Sequence, residues 1–417
     1  MITALSQLNA QSLIAGYDKT LQARATLKDI YVNHMGLYKR TEQVIPKDIY
    51  MKVSDVSTGT NNITITMKLP LTGSVVRGNT RLTGTEEQPN TKSVTVYRNN
   101  YKKAVSVETY NTRKLDQQDY GLYKQHIDDL SVWAAQNHGL DIRMAFLRRY
   151  SYNLLAGDTA AVCVPQWNPH FYVQGAVDAD QPEYDTDDAA YTNDIVQAIV
   201  NAGGGSLTPT NNQVLSPRSL NKIAQRALDK LIKPIEIGGQ NAFVLVISPE
   251  QAAYMSDEDF TPSATTRSGG GIWLAAASLP DKVKNWYGIL GKFQSPIGVD
   301  IYITVDPKCP TLLPGGTAEP FSLTDNYMWP GDVDLRMRSN TNVRDACYLL
   351  GKGALIEWEP EKLHFVKQDD DYFRIMGHGI AGVRGIQLPV FDNATPSSAT
   401  AEYYGGMVCV FGRPTYN

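Results

Sequence analysis

Between Leu69 and Val105 the chain reads LPLTGSVVRGNTRLTGTEEQPNTKSVTVYRNNYKKAV, a polar, glycine-punctuated tract set between two segments with the pattern of β-strands. On the incoming side Ile63, Ile65, Met67 and Leu69 alternate with Thr64, Thr66 and Lys68, the two-residue period of a strand with one apolar face. On the outgoing side Val94 and Val96 alternate with Thr95 and Tyr97, and Val105 and Val107 resume the pattern. Gly73, Gly78, Gly84 and Pro89 lie between them with little that builds a core. So long a polar loop in a compact domain implies either disorder or a task, and the task would be contact with something outside its own domain.

With 417 residues, 42% of them apolar and 20% charged, the chain is long enough for two or three domains or one elaborated one. The 39 basic and 43 acidic residues leave a net charge of −4, which excludes a strongly basic nucleic-acid grip. Residues before Lys19 include no basic side chain, and no apolar run approaches the roughly 18 residues of a membrane helix, so no signal peptide or membrane span is expected. Cys163, Cys309, Cys347 and Cys409 are widely spaced without a CxxC, which fits buried small side chains better than a zinc site or a disulfide framework.

The strongest helical signal follows the loop. Tyr123, Ile127, Leu130 and Ala134 share a face, and the series restarts after Gly139 at Leu140, Met144, Leu147, Ser151 and Leu154. The pattern predicts one long helix from Leu115 to Leu155, about 60 Å at 1.5 Å per residue, with a kink at Gly139. Residues 158–215 read as a loop-rich insertion, and residues 257–271 as a further loop. Ser216 and Pro217 open a helix with Leu220, Ile223, Ala224, Ala227, Leu228 and Leu231 on one face. The segment IEIGGQNAFVLVIS predicts a hairpin whose Ala242–Ile247 half is buried on both faces, and Ser248, Pro249 and Glu250 start a short helix. Val299, Ile301, Ile303 and Val305 alternate as a strand, and GMVCVFG is the last one. The class is α+β, a long helix against sheet plus a second α/β region between residues 160 and 360.

No catalytic set emerges. The acidic run Asp178, Asp180, Glu183, Asp185, Asp187 and Asp188 has Glu183 where a calcium loop needs Gly and Ala189 where it needs Glu. Asp369, Asp370 and Asp371 lie between His364 and His378, but strand neighbours point to opposite faces, so a polar hairpin tip explains them better than a metal or acid/base site. His34, His126, His138 and His170 show no HExxH pairing, and NAGGGS, RSGGGI and LGKGA do not satisfy a phosphate-loop pattern. The expectation is no enzyme, no metal and no cofactor, and a protein acting by assembly or binding.

Four patches, in this order, carry a resemblance: LPLTGSVVRGNTRLTGTEE; YKKAVSVETYNTRKLDQQDYGLYKQHIDDLSVWAAQ with LLAGD; LSPRSLNKIAQRA with KPIEIGGQNAFVLVISPEQAAYM; and WYGILGKFQSPIGVDIYI with RDACYLLGKGALIEW. Together they resemble the major capsid proteins of tailed bacteriophages, in particular the group typified by the podophage N-four. The resemblance implies the HK-ninety-seven-like capsid fold, with residues 1–62 as an N-terminal arm and 63–107 as the extended loop. It further implies 108–160 as a peripheral domain with its spine helix, 161–358 as an axial domain with insertions, and 359–417 as a return to the peripheral domain.

In that scheme the loop lies across a neighbouring subunit, where its backbone and Arg77, Arg81, Glu86, Glu87 and Lys92 find partners. The subunits would form pentamers and hexamers of an icosahedral shell around double-stranded DNA, in a virion assembled in a bacterial host's cytoplasm. Portal, scaffolding and decoration proteins are the implied partners. Lys92 sits in the loop without a motif that licenses cross-linking chemistry, so non-covalent contacts are expected, as is a separate scaffolding chain without N-terminal processing. Two other readings stand beside this one. One is an encapsulin-like cellular compartment of the same fold, and the other is a carboxylate or metal hydrolase using Asp369–Asp371 with His364 or His378.

Overall fold

The structure is a computed structural model, and it describes residues 49–53, 62–68, 91–108, 122–147, 171–173, 215, 217–256, 272–275, 279, 289–307, 309, 311–312, 327–328, 344–370, 375–390 and 403–412. Along the chain run β1 (Tyr50–Val53), β2 (Asn62–Lys68), β3 (Thr91–Tyr97), β4 (Asn99–Glu108), α1 (Leu122–Leu147), β5 (Phe171–Val173), α2 (Pro217–Asp229), β6 (Ile235–Ile237), β7 (Gln240–Ile247) and α3 (Pro249–Ser256). They are followed by β8 (Ile272–Ala275), β9 (Ile289–Gln294), β10 (Asp300–Val305), β11 (Thr311–Leu312), β12 (Tyr327–Met328), β13 (Arg344–Leu350), β14 (Leu355–Asp370), β15 (Ile375–Gln387) and β16 (Gly406–Gly412). The expected N-terminal arm before Ile49, the acidic run at 178–188 and the loop at 257–271 lie outside the described residues.

Three sheets form. A four-stranded sheet has the order β1-β14-β15-β4, a ten-stranded sheet is built along β12-β11-β13-β7-β10-β9-β8 with β16, β5 and β6 attached, and β2 pairs with β3 alone. The chain's last strand does not join the smaller sheet: β16 pairs with β13 over its whole length, from Arg344 opposite Gly412 to Leu350 opposite Gly406.

The continuous apolar run in β7 has its predicted cause. Ala242, Val244 and Val246 face one core with Tyr302 and Tyr348, while Phe243, Leu245 and Ile247 face a second core with Ile301, Ile303 and α2. α2 buries Leu220, Ile223, Ala224 and Ala227 completely, so the 3.6-residue stripe is real. Leu231 departs from it: the helix ends at Asp229, and Leu231 is exposed rather than on the buried face. β10 departs in the opposite sense. Its alternation predicted one apolar face, yet Asp300 and Thr304 are buried as well, because helix and sheet cover both sides and Lys292 meets the Asp300 charge at 2.8 Å.

Helix α1 has 26 residues, about 39 Å at 1.5 Å per residue, and the expected extensions at 115–121 and 148–155 lie outside the described residues. It is helical through Gly139. A Cβ there would stand 2.8 Å from Nη1 of Arg143, so the glycine leaves room for that guanidinium. Leu130 and Ala134 pack on Leu363, Phe365 and Ile380 of the smaller sheet, and Ile142, Ala145 and Phe146 enter the core shared with the larger one. One helix therefore ties both sheets.

Where β13 turns toward β14, the backbone is crowded. Gly351 N–H donates to Gly405 O at 2.7 Å, Lys352 N–H donates to Lys233 O at 2.7 Å, and a Cβ on Gly351 would stand 2.5 Å from Lys233 O. Gly351→Ala is therefore expected to displace backbone and cost about 1–3 kcal/mol, read as a lower urea midpoint at unchanged slope.

Candidate assembly surfaces

The two strands that frame the long polar loop pair antiparallel, from Asn62 opposite Tyr97 to Lys68 opposite Thr91. One face of this ribbon is anchored. Val94 and Val96 are buried against Ile356 and Trp358, with Ile63 and Tyr404 packed alongside. On an exposed part of the ribbon the hydroxyls of Thr64 and Thr95 share a hydrogen bond at 3.3 Å. Of the sequence-predicted contact residues, Lys92 lies in β3 opposite Met67. Arg77, Arg81, Glu86 and Glu87 lie outside the described residues.

The C-terminal half of α1 carries three polar contacts to three different strands or strand ends. His138 stands 3.4 Å from Glu357 of β14, both largely buried. Arg384 of β15 donates to Asp141 through Nε at 3.1 Å and through Nη2, and its guanidinium lies 4.3 Å from the ring centre of Tyr101 of β4. Arg143 donates from Nε to Oδ2 of Asp306 at 2.6 Å and from Nη2 to Oδ1 at 2.8 Å, a buried two-point pair just past β10. Two-point Arg–carboxylate geometry fixes orientation as well as position. A second buried carboxylate, Asp345, accepts from Ser248 Oγ at 2.8 Å and Gln251 Nε2 at 3.1 Å, while Ser248 Oγ caps α3 by accepting from Gln251 N at 3.2 Å.

Burial pushes the Tyr101 phenol up to about 12 from 10.0, against the opposing pull of Arg384 and with help from Glu359 and Glu357. The sign follows: a pKa raised on folding gives stability that is fully present below pH 10 and is lost as pH climbs through about 12. Tyr101→Phe is expected to flatten that part of the alkaline loss, as measured by denaturant midpoints across pH 9–12.

Of the histidines and aspartates weighed as a hydrolytic set, Asp371 lies outside the described residues. His378 is buried and stacks on Phe365 at 5.7 Å between ring centres, whereas His364 is half-buried with Nδ1 3.4 Å from Oε1 of Glu361. Asp369 and Asp370 stand opposite Met376 and Ile375 at the closing end of the β14–β15 hairpin. Cys309, Cys347 and Cys409 are free and buried, and burial pushes the Cys309 and Cys409 thiols up. Among the described residues no three His, Cys, Asp or Glu side chains are grouped to hold a metal ion, and no described helix is long and apolar enough to cross a membrane.

Solved structures share this arrangement. The capsid of Ralstonia phage GP4 matches with a TM-score of 0.59 and 14% identity, over 94% of this chain and 93% of that one. The cyanophage Pam1 capsid matches with a TM-score of 0.57 and 13% identity, over 93% of each chain. The capsid of Helicobacter pylori bacteriophage KHP30 matches with a TM-score of 0.53 and 14% identity, over 87% and 88%. The chain has the phage capsid fold. No family model and no curated protein sequence matches it.

Within this capsid fold, the residues that sequence reasoning missed are the polar ones on α1 and their partners. Asp141, Arg143, Asp306, Glu357 and Arg384 stand in no recognisable motif, and their pairings span as many as 243 positions. The missed anchor of the ribbon, Trp358, lay within the quoted patch RDACYLLGKGALIEW without a signal for its partner.

Proposed function

We propose that this chain is a major capsid protein that self-assembles into pentamers and hexamers of an icosahedral shell enclosing double-stranded DNA. The observation that carries the reading is the match to phage capsid structures over about nine-tenths of the chain, at TM-scores of 0.53 to 0.59. The narrower kinship with the N-four group rests on the four sequence patches. A ribbon held to the body by one face, Val94 and Val96 on Trp358, supports the assignment of 63–107 as an extended loop reaching a neighbour. Arg77, Arg81, Glu86, Glu87 and Lys92 are the residues assigned to that contact.

The long helix packed on the four-stranded sheet supports a peripheral domain at 108–160, completed by β15 and all but the first four residues of β14 from the 359–417 segment. The larger sheet supports an axial domain at 161–358, into which β16 also runs. Residues 1–62 are the arm. The chain acts as a structural subunit rather than an enzyme, in the virion, after assembly in the host cytoplasm with portal, scaffolding and decoration proteins. A net charge of −4 suits a container, since a basic wall would hold packed DNA tightly.

Electron microscopy of the purified chain tests this. Closed shells, or rings of five and six, are expected, and a chain that stays dispersed even with scaffold-containing lysate overturns the reading.

A further inference from the structure

Helix α1 meets the four-stranded sheet through charge as well as through apolar packing. Nε2 of His138 stands 3.4 Å from Oε1 of Glu357 on β14, with the two side chains 8% and 1% exposed. One turn further along the helix, Asp141 accepts from Arg384 of β15, and that guanidinium lies over the ring of Tyr101 of β4. The Tyr101 phenol, raised first by burial, also feels the charges of Arg384, Glu359, Glu357 and Asp141, so these groups surround one pocket. From β1, Lys52 stands beside Glu357 in register.

The charges of this pocket do not balance around a neutral imidazole. Asp141, Glu357 and Glu359 bring three negative charges, whereas Arg384, even with Lys52 counted, leaves only two positive ones. Arg384 is moreover committed to Asp141 through both Nε and Nη2. A proton on His138 supplies the missing charge beside the carboxylate of Glu357, which is almost fully enclosed. A neutral ring can still donate a hydrogen bond, but it leaves a negative charge in surplus, and surplus charge in a protein interior is costly.

We propose that His138 and Glu357 form a pH-sensitive latch between α1 and β14, closed while the imidazole is protonated and released as it loses its proton. Release loosens the middle of the helix from the smaller sheet, while the Arg143–Asp306 pair and the burial of Ile142, Ala145 and Phe146 keep its end on the larger one. The sign follows from the proton, which the closed latch holds and the open form gives up. Its stabilisation is complete below the ordinary histidine value of about 6.5, and is lost as pH climbs through the higher value at which the closed pair deprotonates. The latch belongs to the single subunit and does not rest on the shell reading.

The test uses the unassembled full chain, labelled at the histidine ring carbons and followed by NMR from pH 5 to 9. The resonance missing from His138→Gln is that of His138. In the wild type it is expected to titrate about one unit above the ordinary histidine value, and in Glu357→Gln to fall back by about that much. Urea midpoints read the same device independently: between pH 6 and 8.5 the wild type is expected to lose more stability than His138→Gln. Should Glu357→Gln fail to fold, the wild-type titration and the urea comparison decide. A His138 ring that titrates at or below about 6.5, or does not titrate across this range, overturns the latch. So does a urea profile with the same pH dependence in the wild type and His138→Gln.

Discussion

Replacing Asp306 by alanine is expected to cost about 3–5 kcal/mol of folding stability, because it strands the Arg143 guanidinium in the interior. Arg143 and Asp306 side chains are 5% and 1% exposed, so water does not replace the lost carboxylate. The pair joins α1 to the end of β10, and Arg143 O also accepts from the Tyr348 hydroxyl at 3.4 Å. The helix would loosen from the larger sheet while keeping its apolar contacts to β14 and β15. Urea unfolding of the unassembled chain measures the effect. Arg143→Met combined with Asp306→Leu is expected to recover most of it, since removing both charges removes the stranded one. A single variant within 1 kcal/mol of wild type would show that the pair contributes little.

Trp358→Ala is expected to cost about 3–5 kcal/mol, in the range for emptying a buried aromatic site. The indole is fully buried and, with Ile356, forms the floor on which Val94 and Val96 of the ribbon rest. The effect has a location as well as a size. Hydrogen exchange should accelerate most in β2 and β3, which among the described strands pair only with each other, and much less in β7 and β13. Equal acceleration throughout the chain would show that the ribbon's anchorage is not local to Trp358.

What was legible in the sequence was what depends on local period. The Ala242–Ile247 run and the Leu220 to Ala227 stripe could be read because each burial pattern repeats within one element. The Gly238–Gly239 turn, with φ of 63° and 81°, could be read because two-residue hairpins demand such residues. The frame of the loop was legible in the alternation of Ile63, Ile65, Val94 and Val96, and its pairing follows that register. Illegible was anything set by the pairing of particular side chains, near or far along the chain. The burial of Asp300 depends on Lys292, the tolerance of α1 for Gly139 depends on Arg143, and Arg143 in turn answers Asp306, 163 residues away. Leu231 was misplaced for a different reason: the stripe predicts one more apolar residue, but the helix ends two residues earlier.

Native mass spectrometry of the purified chain is the most direct test of the central claim. The account predicts species at five and six copies of the 46.1 kDa subunit, or closed particles built from them. A single species at the subunit mass, unchanged at high concentration and in the presence of scaffold-containing lysate, would contradict it.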